Sequence, residues 1–225
     1  MAAAGVAGLV GTMKGGSVID RCVNYASVTS SNTSGRSGGL VGFMTGTGNK
    51  ISNSYNVGNV TGTNNSMGGI CSIVPTGCEV ENVFNIGEIY TSSSAGCGSC
   101  FGVINGTSKN AFSVKEYQKT DGQTTVTDEQ MRSGEIAHRL GEAFGQEIGK
   151  DAHPVLGGMK VYYDADNDAY TNEPLTETGI GDVAVDGDVK AELYYNLQGV
   201  ASDRPWQGLN IVKMSDGTTR KIYVR

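Results

Sequence analysis

A chain of 225 residues allows one large domain or two small ones, and its 34 glycines against only 4 prolines are about twice the usual glycine share. The absence of a Gly-x-x period excludes collagen. Glycines alternating with Val, Ile, Leu and Tyr between Asn, Ser and Thr indicate short strands and turns rather than disorder. The net charge of −6 is concentrated in residues 115–225, no Lys/Arg stripe suits nucleic acid, and no apolar run approaches the roughly 20 residues that would insert in a membrane.

The start, Met1-Ala-Ala-Ala-Gly-Val, lacks a basic n-region and already carries repeat-like residues, so it does not read as a signal peptide. The expectation is a segment of a longer precursor with Met1 added. Residues 1–114 then repeat themselves. One unit reads Gly-Gly-Leu-Val-Gly at Gly38–Gly42, with counterparts at Ala7–Gly11, Gly68–Ser72 and Gly98–Gly102. A second unit follows each first one: Ile19–Val28, Ile51–Val60, Val80–Ile89 and Asn110–Val114. The period of about 30 residues lies in the solenoid range.

Period two within the second unit places Ile51, Asn53, Tyr55 and Val57 on one inward face, and Val80, Asn82, Phe84 and Ile86 likewise. Stacked coils would align Val23, Tyr55, Phe84 and Phe112 in one interior column and Asn53, Asn82 and Asn110 in another. A buried Asn ladder can satisfy turn backbone between coils. Arg21 stands at the Asn position of the first repeat and suits a column poorly, which predicts a terminal or irregular coil there. The paired glycines permit close backbone approach or positive φ at corners.

These units resemble the GLUG motif, with Gly8-Leu9-Val10-Gly11 and Gly39-Leu40-Val41-Gly42 as close matches and the likeness spanning roughly residues 4–114. GLUG repeats belong to large secreted and cell-surface bacterial proteins, including accessory regions of immunoglobulin A peptidases. The resemblance implies an adhesin or spacer and no catalytic residue. The last repeat departs from the pattern, with Cys100-Phe101 at the Leu-Val positions. The segment from Thr127 to Leu156 resembles stretches that follow GLUG arrays in surface proteins of gut anaerobes. Leu193–Val200, Arg204-Pro205, Gly208–Lys213 and Arg220–Arg225 resemble tails of exported Bacteroidetes proteins, some of which are type IX sorting signals.

Thr127 is a good N-cap with Asp128 and Glu129 in the first turn, and Ile136, Leu140, Ala143 and Phe144 form an apolar face. The spacing predicts a helix over about 128–143 that seals the open solenoid end. The tail reads as three short strands with turns at Gln198-Gly199 and Asp216-Gly217. The predicted fold is mostly β: a right-handed parallel β-helix or related solenoid at 1–114, a capping α+β segment at 115–178, and a small β tail at 179–225.

Chemistry is sparse. His138 and His153 form no zinc-protease pair, Gly46–Lys50 is a glycine-rich turn without Walker spacing, and no Gly-x-Ser-x-Gly occurs. Parallel β-helices include polysaccharide lyases and hydrolases, whose sites need clustered carboxylates with Lys or Arg. Residues 1–114 offer Asp20, Glu79, Glu81 and Glu88. Cys71, Cys78, Cys97 and Cys100 read as small buried side chains, with a disulfide among them as the alternative, and Cys22 makes the count odd. Asp164, Asp166 and Asp168 resemble half a calcium loop but lack its glycine and distal Glu, so an acidic hairpin turn is expected. No resident cofactor or metal is implied. The expectation is a non-enzymatic secreted or cell-surface protein, alone or within a longer chain, whose partner is a glycan or host surface protein. Aromatic side chains in a groove would favour glycan, and the single Trp206 lies in the tail.

Overall fold

A computed structural model describes residues 5–31, 35–63, 66–92, 96–117, 121–175, 191–215 and 217–224. Met1–Ala4, the expected boundary at 178/179 and Asp216 lie outside the described residues. The chain divides into two compact units, Met1–Glu173 and Pro174–Arg225.

The first unit holds a parallel β-solenoid of about three turns. The coils stack into four faces. The first face stacks Gly5–Ala7, Arg36–Gly38, Met67–Gly68 and Cys97–Gly98. The second stacks Val10–Lys14, Val41–Thr45, Cys71–Val74 and Phe101–Ile104. The third stacks Val18–Asp20 and Val23–Asn24 on Lys50–Asn56, then Glu79–Asn85, Thr107–Ser113 and Thr124–Thr125. The fourth has Val28–Ser30, Val60–Gly62 and Ile89–Thr91. Equivalent positions of the repeats are register partners, as in Val23, Tyr55, Phe84 and Phe112. Recurrence in sequence thus becomes vertical stacking, which gives each side chain like neighbours above and below.

The expected side-chain directions need correction. Asn53, Asn82 and Asn110 do stack, with Asn110 Nδ2 donating to Asn82 Oδ1 at 2.9 Å and Asn82 Nδ2 to Asn53 Oδ1 at 3.1 Å. They are not interior, however. Each takes a left-handed φ of +45°, +51° and +49°, and Arg21 takes +50° at the same position. One left-handed residue inside a strand reverses the alternation of faces, much as a bulge does. Before it, Ile51 and Val80 point into the solenoid; after it, Ser54, Val83 and Ala111 do. Tyr55, Phe84 and Phe112 therefore point outward.

The interior polar column is a different asparagine set. Asn24 Nδ2 donates to Asn56 Oδ1 at 2.8 Å, and Asn56 Nδ2 to Asn85 Oδ1 at 2.7 Å. All three are buried. Gly8, Gly39 and Gly69 sit against this ladder and against the backbone of the next coil. A Cβ on Gly8, Gly39 or Gly69 would stand 2.4, 2.3 or 2.1 Å from the side-chain Cγ of Asn24, Asn56 or Asn85. Close approach, and not positive φ, is what these glycines supply. In the last coil the ladder residue becomes Ser113 and the glycine becomes Ser99, so both halves of the device change together. Leu40, Ile70 and Cys100 fill the adjoining column without exposure, while Leu9 in the first coil is 41% exposed because no described coil lies over it.

Arg21 lacks the local side-chain bonding that makes asparagine tolerant of the left-handed region. Replacing it as Arg21→Asn is expected to stabilise the unit by about 1 kcal/mol. Paired denaturant titrations check this, and an unchanged or lower midpoint refutes it.

The single helix expected over 128–143 is two short ones, α1 (Asp128–Arg132) and α2 (Glu135–Leu140). Thr127 forms the predicted cap, accepting from Gln130 N at 3.1 Å while Gln130 Oε1 accepts from Thr127 N at 2.9 Å. The break is Gly134, with φ +91°. Phe144 leaves the helix for a strand pair, Phe144–Gly145 with Val155–Leu156. Nor does this segment simply seal the solenoid end. Met131, Ile136, Leu140 and Phe144 pack on the outward Tyr55–Phe84–Phe112 column. Tyr55 and Phe84 stack at 4.6 Å, and Arg139 lies 4.6 Å above the Phe112 ring. Thr124–Thr125 continues the third face beyond the last coil, which covers that edge.

In the second unit, four strands rather than three make an antiparallel sheet: Ala191–Tyr195, Ala201–Ser202, Gly208–Met214 and Thr219–Val224. Ala201–Ser202 is too short to register as a separate run in the sequence. Gly199 and Gly217 take φ of +78° and +81° at the predicted turns. Asn210 is buried and binds the backbone of Trp206 and Gly208.

Candidate functional site

Glu79 and Glu81, the carboxylates on which an enzymatic reading would rest, lie on the outer third face and pair with Lys50 from the preceding coil. The Lys50 Nζ is 2.6 Å from Glu81 Oε1 and 3.8 Å from Glu79 Oε2. The Glu81 bond holds the Lys50 ammonium above its usual pKa. Asp20 accepts from Ser52 Oγ at 2.6 Å and Asn53 Nδ2 at 2.8 Å, which keeps its carboxyl below the ordinary range. The Asn110–Asn82–Asn53 chain of amide donors therefore runs to an anion at its first-coil end.

The two histidines lie apart, each against aromatic rings and a backbone carbonyl. His138 in α2 sits against Tyr170, and His153 lies 5.6 Å from the Tyr55 ring and 5.8 Å from that of Phe84. The acidic segment is a hairpin turn between Tyr162–Asp164 and Ala169–Thr171. Asp164 accepts from the backbone of Asp166 and the side chain of Asn167, while Asp168 accepts from Tyr163 OH at 2.6 Å. Among the described residues no group of three or more His, Cys, Asp or Glu side chains is placed to hold a metal ion.

No disulfide joins the cysteines: Cys71, Cys78, Cys97 and Cys100 are buried and Cys22 is half-buried. Burial pushes the Cys71 thiol up to about 12 and raises Cys100 as well. Alkylation of the folded protein is expected to label Cys22 quickly and the other four only after denaturation, as intact-mass spectra would show. Rapid native labelling of Cys71 or Cys100 would contradict the packing.

A recessed, partly polar surface lies beside the last described strand of the fourth face. Among the described residues the fourth face has three strands, and the other faces continue into the last coil. Val28, Val60 and Ile89 follow Asn24, Asn56 and Asn85 by four residues; Tyr117 follows Ser113 by the same spacing and packs on the cluster of Val28, Val60 and Ile89. Its N–H donates to Ser99 Oγ at 2.8 Å. Tyr117 thus stands at the position equivalent to Val28, Val60 and Ile89, and a cleft of about 190 Å³ lies beside it, lined by Gly87, Glu88, Ile89, Ser99, Lys115, Glu116 and Tyr117.

Glu88 is held in place, since Tyr90 OH donates to Oε2 and Lys115 Nζ lies 3.9 Å from Oε1. Glu116 is exposed. Burial raises the Tyr117 phenol above its usual value. The cleft therefore offers an aromatic edge, an ammonium and two carboxylates. Sequence reasoning singled out Glu88 only as an acid and missed Lys115, Glu116 and Tyr117, because the repeat was taken to end at Val114. The signal was present in the four-residue spacing from Ser113. No helix among the described residues is long and apolar enough to cross a membrane. No known family model, curated protein or solved structure matches this chain.

Proposed function

We propose that this chain is a non-enzymatic repeat module of a secreted or cell-surface protein, acting as an adhesin or spacer whose partner is a glycan or a host surface protein. One observation carries the reading: the recurring residues serve coil addition. The Asn24–Asn56–Asn85 ladder and its facing glycines repeat a device for stacking one coil on the next. Such a device produces length and lateral surface. The likeness of Gly8–Gly11 and Gly39–Gly42 to the GLUG core supports a bacterial surface setting.

Binding of the purified chain to an array of host and plant glycans, with and without calcium, tests this. Selective and saturable binding is the adhesin outcome, and silence leaves the spacer. Calcium dependence abolished by Asp164→Asn would make the hairpin a ligand site. Polysaccharide turnover that disappears in Glu79→Gln or Glu81→Gln would overturn the non-enzymatic reading.

A further inference from the structure

We infer that the outer edge of the first coil is a docking edge for a partner solenoid that ends in a coil of the same Gly-Gly-aliphatic and Asn type, and that a second copy of this chain does not fit it. The inference rests on how coils join and not on the glycan reading. Leu9, Val18 and Tyr25, all in the first coil, are exposed large apolar side chains. Four residues precede Gly5, at most about 14 Å of extended chain. That is too short to line the five strands of the coil, Gly5–Ala7, Val10–Lys14, Val18–Asp20, Val23–Asn24 and Val28–Ser30.

Hydrogen-bond polarity names the occupant. At the Gly-Gly corners the N–H groups of one coil donate to carbonyls of the next. Gly8 N donates to Gly39 O at 3.0 Å and Leu9 N to Leu40 O at 3.2 Å, then Gly69 N to Ser99 O and Ile70 N to Cys100 O, each at 2.9 Å. The buried ladder runs the same way, from Asn24 to Asn56 to Asn85. The first coil therefore turns acceptors outward: Gly8 O, Leu9 O and Asn24 Oδ1. Asn85 Oδ1 accepts from both Gly87 N and Asn56 Nδ2, whereas Asn24 Oδ1 accepts from Ala26 N alone among the described residues. A fitting partner brings two backbone N–H groups and an amide donor. It also needs glycine at the second corner position, because a Cβ on Gly8, Gly39 or Gly69 would stand 2.5, 2.0 or 2.4 Å from the carbonyl oxygen of the next coil. The last coil of this chain fails each requirement. Ser99 replaces the glycine, Ser113 replaces the asparagine, and Cys100 N already donates to Gln123 Oε1 at 2.6 Å. Two first coils set edge to edge would oppose carbonyl to carbonyl at the corner.

The test supplies such a coil as a tethered probe, a copy of residues 36–65 inserted between Ala4 and Gly5 of the otherwise intact chain. Hydrogen exchange at the copied Gly39 and Leu40 amides should slow by about a hundredfold or more, and the denaturant midpoint should rise above that of the wild type. A scrambled insert of the same composition should give neither effect. Gly39→Ala or Asn56→Asp within the copy should abolish both gains while the original 225 residues keep their wild-type exchange pattern. Unprotected amides in the copy, an equal gain from the scrambled insert, or full protection in both variants of the copy would overturn the inference. So would a wild-type dimer in analytical ultracentrifugation that Leu9→Lys dissociates, since a second copy would then be the occupant.

Discussion

Asn56→Asp is expected to destabilise the solenoid by about 3–5 kcal/mol at neutral pH. The wild-type amide donates to Gly58 O and to Asn85 Oδ1, each at 2.7 Å, and accepts from Asn24 Nδ2 at 2.8 Å, with no solvent exposure. A carboxylate keeps the acceptor role and loses both donors. It also directs negative charge at two oxygens in a site that offers no cation. Leaving an uncompensated buried charge costs about 3–5 kcal/mol, a large part of the roughly 5–15 kcal/mol by which a domain is stable.

The sign of the pH dependence follows. Burial and facing oxygens raise the folded-state pKa of the new carboxyl above its unfolded value of about 4. The penalty is therefore small below pH 4, grows as pH rises through that unfolded pKa, and is complete above the folded one. Denaturant titrations of variant and wild type at pH 3.5 and pH 7 should show the gap widening with pH. Asn56→Ala should show a gap that does not change with pH. A variant within about 1 kcal/mol of wild type at pH 7 would mean that the ladder does not hold the coils together.

Phe84→Ala is the second large effect. Phe84 has no exposure, stacks on Tyr55 at 4.6 Å, and lies 5.8 Å from both Phe144 and His153. Truncating a buried phenylalanine costs about 3–5 kcal/mol, the spread depending on how far the surroundings collapse into the cavity. Because the column is outward-facing and covered by α1, α2 and Phe144, the loss should fall on the attachment of that segment. Amide exchange is expected to speed up across residues 126–156 before it does in the solenoid interior around Leu40 and Ile70. Equal acceleration in both places would make Phe84 part of the interior after all, the arrangement that simple alternation suggests.

Register was the most legible feature. Val23, Tyr55, Phe84 and Phe112 recur at matched positions, and a solenoid has no cheaper way to bury recurring residues than to stack them. The chemistry of local caps was equally readable, because Thr127 and Gln130 interact within one turn. Orientation was not. Asparagine is compatible with a strand and with the left-handed region alike, and only the closed coil required Asn53, Asn82 and Asn110 to adopt φ near +50°. That single turn exchanged inside for outside and gave the interior ladder to Asn24, Asn56 and Asn85. The break at Gly134 was likewise decided by packing, since a Cβ there would approach Ile148 and Val161.

The candidate cleft divides the same way. Its residues were countable from Ser113, but their meeting with Gly87–Ile89 and Ser99 depends on how the coils stack. Period, stacking order and capping were determined by the sequence itself, because each depends on like residues at fixed spacing or on neighbours within a turn. Which face each column occupies, what covers the aromatic stack, and which residues meet at the cleft were decided by the tertiary structure, because each depends on backbone closure between residues far apart in the chain.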